Sequence, residues 1–221
     1  MVSQPSIERP RTPAQAWAAL LAGNARFAAG RPQHPNQDAE HRLDTADGQA
    51  PFAVVLGCSD SRVAAEIIFD RGIGDLFVVR TAGHLLGTDA LASVEFAVHA
   101  LGTPLVVILG HDSCGAVQAA VTAERSGVTP PGFQRAIVEH LLPCVLAARA
   151  RGVTDNDEIG RAHLTSTADL LVRRSGIVRE AVAMNRCAIA CASYRLRDGH
   201  IGLVETFGQL GPQAAADSQA S

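Results

Sequence analysis

Three short runs of consecutive apolar residues constrain this chain more than any other feature: Phe52-Ala53-Val54-Val55-Leu56, Leu76-Phe77-Val78-Val79 and Leu105-Val106-Val107-Ile108-Leu109. A strand with one face in water alternates apolar and polar residues. Runs without alternation fit a parallel sheet covered on both faces. Between the second and third runs, Asp89 to Leu101 (DALASVEFAVHAL) has the spacing of a helix, closed by Gly102 and Pro104. Strand, helix and strand in succession define an α/β chain.

The flanking segments extend this pattern. Residues 14–29 (AQAWAALLAGNARFAA) place Trp17, Leu20, Leu21, Asn24 and Phe27 three and four apart, as in an amphipathic helix that Gly30 would end. Arg31 to Gly48 is polar, contains Pro32 and Pro35, and cannot pack a core of its own. It is expected to form an arm lying either on a partner subunit, in a homodimer, or on the body of its own chain. Beyond the third run, a helix begins at Gly115 and continues to Glu124, a Pro/Gly loop spans Ser126 to Gly132, and further helices are expected over 133–151 and 157–185. Cys187 to Leu196 and His200 to Thr206 read as strands joined through Asp198-Gly199, a hairpin turn pair. Gly208 to Ser221 is rich in small and polar residues and is expected to fray. No repeat or linker divides the chain, and 221 residues with 47% apolar content suit a single domain. Its expected parts are a helix and arm over 14–48, an α/β core over 49–207 and a flexible tail over 208–221.

Composition narrows the function. The net charge is −3, there is no dense Lys/Arg block, and a single Trp and a single Tyr are present, so the footprint of a nucleic-acid binder is missing. Met1 to Pro13 carries prolines and charges where a signal peptide needs a continuous apolar stretch, and no segment has the roughly 18 apolar residues of a membrane span. The expectation is a soluble cytoplasmic protein. The cysteines at 58, 114, 144, 187 and 191 form an odd set, which argues for reduced thiols. Cys144, Cys187 and Cys191 lie in apolar segments and are expected to be inert core residues.

The other two thiols belong to the motifs Cys58-Ser59-Asp60-Ser61-Arg62, after the first run, and His111-Asp112-Ser113-Cys114, after the third. Thiolate, imidazole and carboxylate are donors that suit zinc better than magnesium or calcium. Both motifs follow a strand, at the edge where open α/β sheets bind ligands, and Gly57 and Gly110 are expected to let the backbone turn sharply there. Zinc held by two thiolates and a neutral imidazole has net charge zero and keeps a fourth position for water. With Asp60 as fourth ligand, the centre gains a negative charge and closes. Arg62, two residues on, can hold Asp60 off the metal with two charge-assisted hydrogen bonds. The freed carboxylate then orients a zinc-bound hydroxide. A purely structural zinc knot is the alternative, although such sites usually pair two Cys-x-x-Cys units. His84 is read as a hydrogen-bonded loop histidine, with proton relay as its alternative role.

Cys-Ser-Asp-Ser-Arg at a strand end, with Gly-His-x-x-Cys-Gly downstream, resembles the β-class carbonic anhydrases of the bacterial type, and the match runs through about Gln49 to Val117. Asp75 to Gly83, Ser93 to Val98, and Gly23-Asn24-x-Arg26-Phe27 are similar to other stretches of that family. The resemblance implies reversible hydration of carbon dioxide to bicarbonate and a proton, with one Zn2+ per subunit on Cys58, His111 and Cys114, and Asp60 as a conditional fourth ligand. It also implies an Asp60–Arg62 catalytic dyad, an apolar pocket of Phe77, Ala82 and Phe96, and Gln49 as a hydrogen-bond donor to substrate. Some of these are expected to reach across a homodimer interface; dimers of dimers are common in the family. The implied fold is a mostly parallel sheet flanked by helices, with an antiparallel edge strand. Some members hold bicarbonate through a Trp at the place taken here by Val55, so no lock of that kind is expected, although Arg80 matches. The competing functions are a carbon disulfide or carbonyl sulfide hydrolase on the same scaffold and a non-catalytic zinc or bicarbonate sensor.

Overall fold

The computed structural model describes residues 9–211. The elements run α1 (Pro13–Ala28), α2 (Ala39–Asp44), β1 (Ala53–Cys58), α3 (Ala65–Ile68), β2 (Leu76–Thr81), α4 (Thr88–His99), β3 (Leu105–His111) and α5 (Gly115–Ser126). They continue as α6 (Arg135–Ala150), α7 (Asn156–Arg174), α8 (Gly176–Ala183), β4 (Ala188–Tyr194) and β5 (Ile201–Phe207). The strands form one sheet in the order β2-β1-β3-β4-β5. The first four are parallel, and β5 runs antiparallel to β4 at the edge.

The unbroken apolar runs have the meaning their pattern implies. Alternate residues of β1 and β3 point to opposite faces. Val55, Val107 and Leu109 join Trp17, Leu20 and Phe69 on one side; Val54, Leu56, Val106 and Ile108 pack with Val94, Leu164 and Leu171 on the other. Every residue of β1 and β3 is buried. The second run departs from this: β2 is an edge strand whose side chains are only half-buried, because no strand pairs beyond it in the single chain.

The expected helix over 157–185 is two helices. Ser175 leaves helical geometry at ψ 108, its hydroxyl accepts from the Val178 amide to start α8, and it donates to Glu95 Oε1 on α4 at 2.6 Å. A short polar side chain that offers the backbone an alternative partner is a common cause of such a break. The tail also differs over 208–211, where Leu210 is buried in the core; residues 212–221 lie outside the described residues.

Within the chain, the arm is tied to the segment that follows α3. Asp70 accepts from the Gln33 and His34 amides and pairs with Arg26 at 2.6 Å; the Ile73 amide donates to the Asn36 carbonyl. The α2 helix buries nothing and Leu43 is 68% exposed, as expected of a segment without a core of its own.

Helix α1 is tied to both the middle and the end of the chain by buried Asn24. Its Nδ2 donates to the carbonyls of Ile68 (3.2 Å) and Gly199 (2.8 Å), and its Oδ1 accepts from the Ile201 amide (3.0 Å). Removing the side chain orphans buried backbone groups, which costs about 1–3 kcal/mol per group. Asn24→Ala is therefore expected to lower unfolding stability by about 2–4 kcal/mol, measured as a fall in the urea midpoint with little change in slope.

Candidate metal centre

β1 and β3 pair in parallel with Gly57 opposite Leu109, so Cys58 and His111 leave neighbouring strands at the same edge of the sheet. Cys114 follows as the N-cap residue of α5. The three ligand atoms of Cys58, His111 and Cys114 all lie within 4.8 Å of one another, and all three residues are buried. Gly57 and Gly110 do not make the turns expected of them, since neither has a positive φ. A side chain on Gly110 would meet Leu164 at 3.0 Å, so that glycine admits α7 to the sheet. The reversal is made instead by Ser113 at φ 53, whose amide donates to Asp157 Oδ1 at 2.8 Å.

The donor chemistry fits zinc. His111 Nδ1 lies 2.8 Å from the Asp112 carbonyl, which can only accept, so the proton sits on Nδ1. Nε2 is left with its lone pair, buried and without a hydrogen-bond partner, beside the two sulfurs. The Cys58 thiol is held down at about 4, chiefly by the Cys114 thiol's hydrogen bond and further by His111 and the amides of Gly83 and Asp60, which together outweigh burial. The hydrogen bond to that thiolate, together with burial, pushes the Cys114 thiol far up. Burial disfavours a charged His111, yet the adjacent Cys58 thiolate, which favours a proton on Nε2, outweighs this and the net shift is upward. Without metal the triad thus shares protons around one thiolate. A divalent cation replaces them.

Asp60 is not among these donors. Its carboxylate takes Arg62 Nε at 2.9 Å and the second guanidinium nitrogen at 2.7 Å, and it also accepts from the Arg62 amide. The hydrogen bonds from Arg62 hold the carboxyl well below the usual range. Asp60 Oδ2 nevertheless stays 3.9 Å from His111 Nε2, on the metal side. Arg80 on β2 pins the loop from behind, donating to the carbonyls of Cys58 (3.1 Å) and Asp60 (2.7 Å).

The remaining expected site residues are spread out. Ala82 is exposed and follows Thr81, which is paired with Cys58. Phe77 pairs with Val54, four positions back along β2, which at about 3.3 Å per residue is about 13 Å from the metal end. Phe77 and Phe96 lie together, ring centroids 6.1 Å apart, and Phe96 is 49% exposed on α4. Gln49 is exposed before β1. Cys144, Cys187 and Cys191 are buried free thiols; burial raises all three, Cys187 and Cys191 to about 12, as inert core residues require. His84 departs from its expected role: it is buried with no partner for either nitrogen and stacks on His163. Arg80, singled out in the sequence only for its match to a bicarbonate-holding position, acts here as a clamp on the loop, and His163 carried no signal in the sequence.

A family model described as carbonic anhydrase matches residues 53–201. Carbonic anhydrase 2 of Mycobacterium tuberculosis (strain ATCC 25618 / H37Rv) is 49% identical over 201 residues, covering 91% of this chain and 97% of that protein. The carbonic anhydrase of Mycolicibacterium smegmatis is 48% identical over 199 residues, covering 90% and 97%. Among solved structures, the β-carbonic anhydrase CafA of Aspergillus fumigatus superimposes with a TM-score of 0.68 at 26% identity, covering 92% of this chain and 97% of that one. A β-carbonic anhydrase of Sordaria macrospora, described as tetrameric, gives 0.68 at 22%, covering 85% and 96%, a likeness of fold. The chain belongs to the carbonic anhydrase family, as a β-class, bacterial-type member. It is accordingly a zinc-dependent lyase acting on carbon dioxide and bicarbonate, and Cys58, His111 and Cys114 are the group able to hold its metal.

Because Cys114 keeps its proton in the metal-free triad while Cys58 does not, zinc binding must release at least the Cys114 proton. Apparent zinc affinity is therefore expected to rise about tenfold for each pH unit between about pH 6 and 8. Chelator competition at several pH values measures the slope, and a flat profile contradicts the proton count.

Proposed function

We propose that this chain hydrates carbon dioxide reversibly with Cys58, His111 and Cys114 as zinc ligands and Asp60–Arg62 as the catalytic dyad. The observation that carries this reading is the two-point pairing of Asp60 with Arg62, beside His111 Nε2 but outside the donor set. The chemistry supplied at that position is Lewis-acid activation of water near neutral pH. Asp60, kept ionised, accepts a hydrogen bond from the attacking water at Oδ2 and orients its lone pair toward the substrate carbon. Arg62 fixes the carboxylate and offsets its charge. Carbon dioxide is small and apolar, which suits a pocket of Phe77, Ala82 and Phe96, with the Gln49 amide donating to a substrate oxygen. In this reading Asp60 becomes a ligand only at low pH, where the dyad can rearrange.

Oligomerisation follows from exposure. The half-buried edge strand β2 and the exposed ring of Phe96 form an apolar face that a second copy covers, and a homodimer, or a dimer of dimers, brings Phe77, Phe96 and Gln49 toward a partner's metal. The α1 helix and the arm are proposed to extend that interface. None of the helices among the described residues is long and apolar enough to cross a membrane, and the cytoplasm is the proposed compartment. No observation favours a carbon disulfide hydrolase. A sensor held closed by Asp60 has the Asp60–Arg62 pair against it.

Stopped-flow hydration assays test the activity; zinc-loaded protein inactive between about pH 6.5 and 9 would remove it. Arg62→Ala is expected to cut kcat by on the order of a hundredfold or more while zinc content stays at one per chain, since it frees Asp60 to reach the metal. Phe96→Asp is expected to shift the protein toward monomer in sedimentation velocity and to lower activity with it; an unchanged oligomer would place the interface elsewhere.

A further inference from the structure

One sulfur of the metal triad is held by a chain of contacts that reaches outside the motifs. The Gly83 amide donates to Cys58 Sγ at 3.4 Å, and the Gly83 carbonyl lies 3.1 Å from His163 Nε2. His163 is buried in the middle of α7, 80 positions along the chain. A carbonyl only accepts, so Nε2 carries the His163 proton. Burial depresses this ring to about 4, which keeps it neutral at working pH. Its other side is fixed by His84, whose ring lies 4.5 Å away at 32°. His84 is itself driven well below its usual value by burial and then by neighbouring His163 and His111.

The Gly83 peptide has little freedom to be held in any other way. Gly83 sits at φ +68, and a Cβ there would come within 2.7 Å of the Ala116 Cβ on α5. Its N–H and C=O belong to successive peptide planes hinged at φ 68 and ψ 28, and with that hinge seated against α5 a donor that fixes the carbonyl also fixes the direction of the N–H. A hydrogen bond to a thiolate draws negative charge off the sulfur and orients it, and such outer contacts tune metal sites strongly.

We propose that His163 is a positioning residue for the zinc centre, aiming the Gly83 amide at Cys58 and so setting how much charge that sulfur gives the metal. The inference rests on the Cys58–His111–Cys114 zinc site. Losing the contact makes Cys58 a more electron-rich donor and the metal a weaker Lewis acid. His163→Phe keeps a stacked ring but removes the donor; His163→Gln keeps an N–H at a similar reach.

With cobalt(II) in place of zinc, His163→Phe is expected to move the thiolate-to-metal charge-transfer band to longer wavelength. The midpoint of the pH profile of carbon dioxide hydration should rise by about half a unit. His163→Gln should restore both toward wild type. A His163→Phe protein with the wild-type band and profile overturns the inference, as does a His163→Gln protein that shifts as far as His163→Phe. Wild-type protein that takes up no metal would instead remove the site on which the inference rests. Should His163→Phe fail to fold, wild-type protein loaded with a spin-active cadmium isotope supplies the second test by NMR. Through-bond coupling between the Gly83 amide proton and the metal is expected, and its absence overturns the proposal.

Discussion

The parallel pairing of β1 with β3 is the constraint on which the rest depends. It sets two strand ends at one edge, in a register with Gly57 opposite Leu109, and neighbouring strands are about 4.8 Å apart. Ligands from residues far apart in sequence thereby arrive within the span of one metal ion. The burial of both strands on both faces makes the register expensive to change, because a one-residue slip would turn the side chains of one core face into the other. Stability of the sheet and placement of the metal donors are thus two results of the same pairing.

The anionic character of the site is arranged in two tiers. The triad concentrates one negative charge on Cys58 without metal, and Asp60 places a second close by. Two adjacent anions would ordinarily raise each other's pKa. Arg62 prevents that by taking the carboxylate on both oxygens, and Arg80 removes the slack by bonding the loop's carbonyls. The dyad can release Asp60 only by giving up two charge-assisted hydrogen bonds, so its arrangement is a balance between guanidinium and metal.

Much of the fold was legible because it follows from local patterns. The three apolar runs, the helix from Thr88 and the hairpin through Asp198-Gly199 all rest on periodicity and turn chemistry. The metal triad was legible because thiol and imidazole have few better uses at strand ends. What escaped depended on contacts between distant segments. Arg173-Arg174 followed by Ser175-Gly176 is a stop signal within the run 157–185, but it is decisive only once Glu95 is known to face Ser175, and His163 looks like any helical residue until Gly83 is placed over it. The edge position of β2 was hidden for the same reason, since an apolar run does not say how many neighbours it has.

Asn24 has a consequence for the order of assembly during synthesis. Its two farthest partners, Gly199 and Ile201, lie 175 and 177 residues downstream. At about 5–20 residues per second, α1 leaves the ribosome roughly 10 to 35 seconds before the hairpin that receives it. During that interval Trp17 and Leu20 have no finished core to enter, because β4 belongs to the same cluster. Helix α1, though made early, is therefore among the last to dock, and the nascent chain carries an apolar helix in the open that chaperones can recognise.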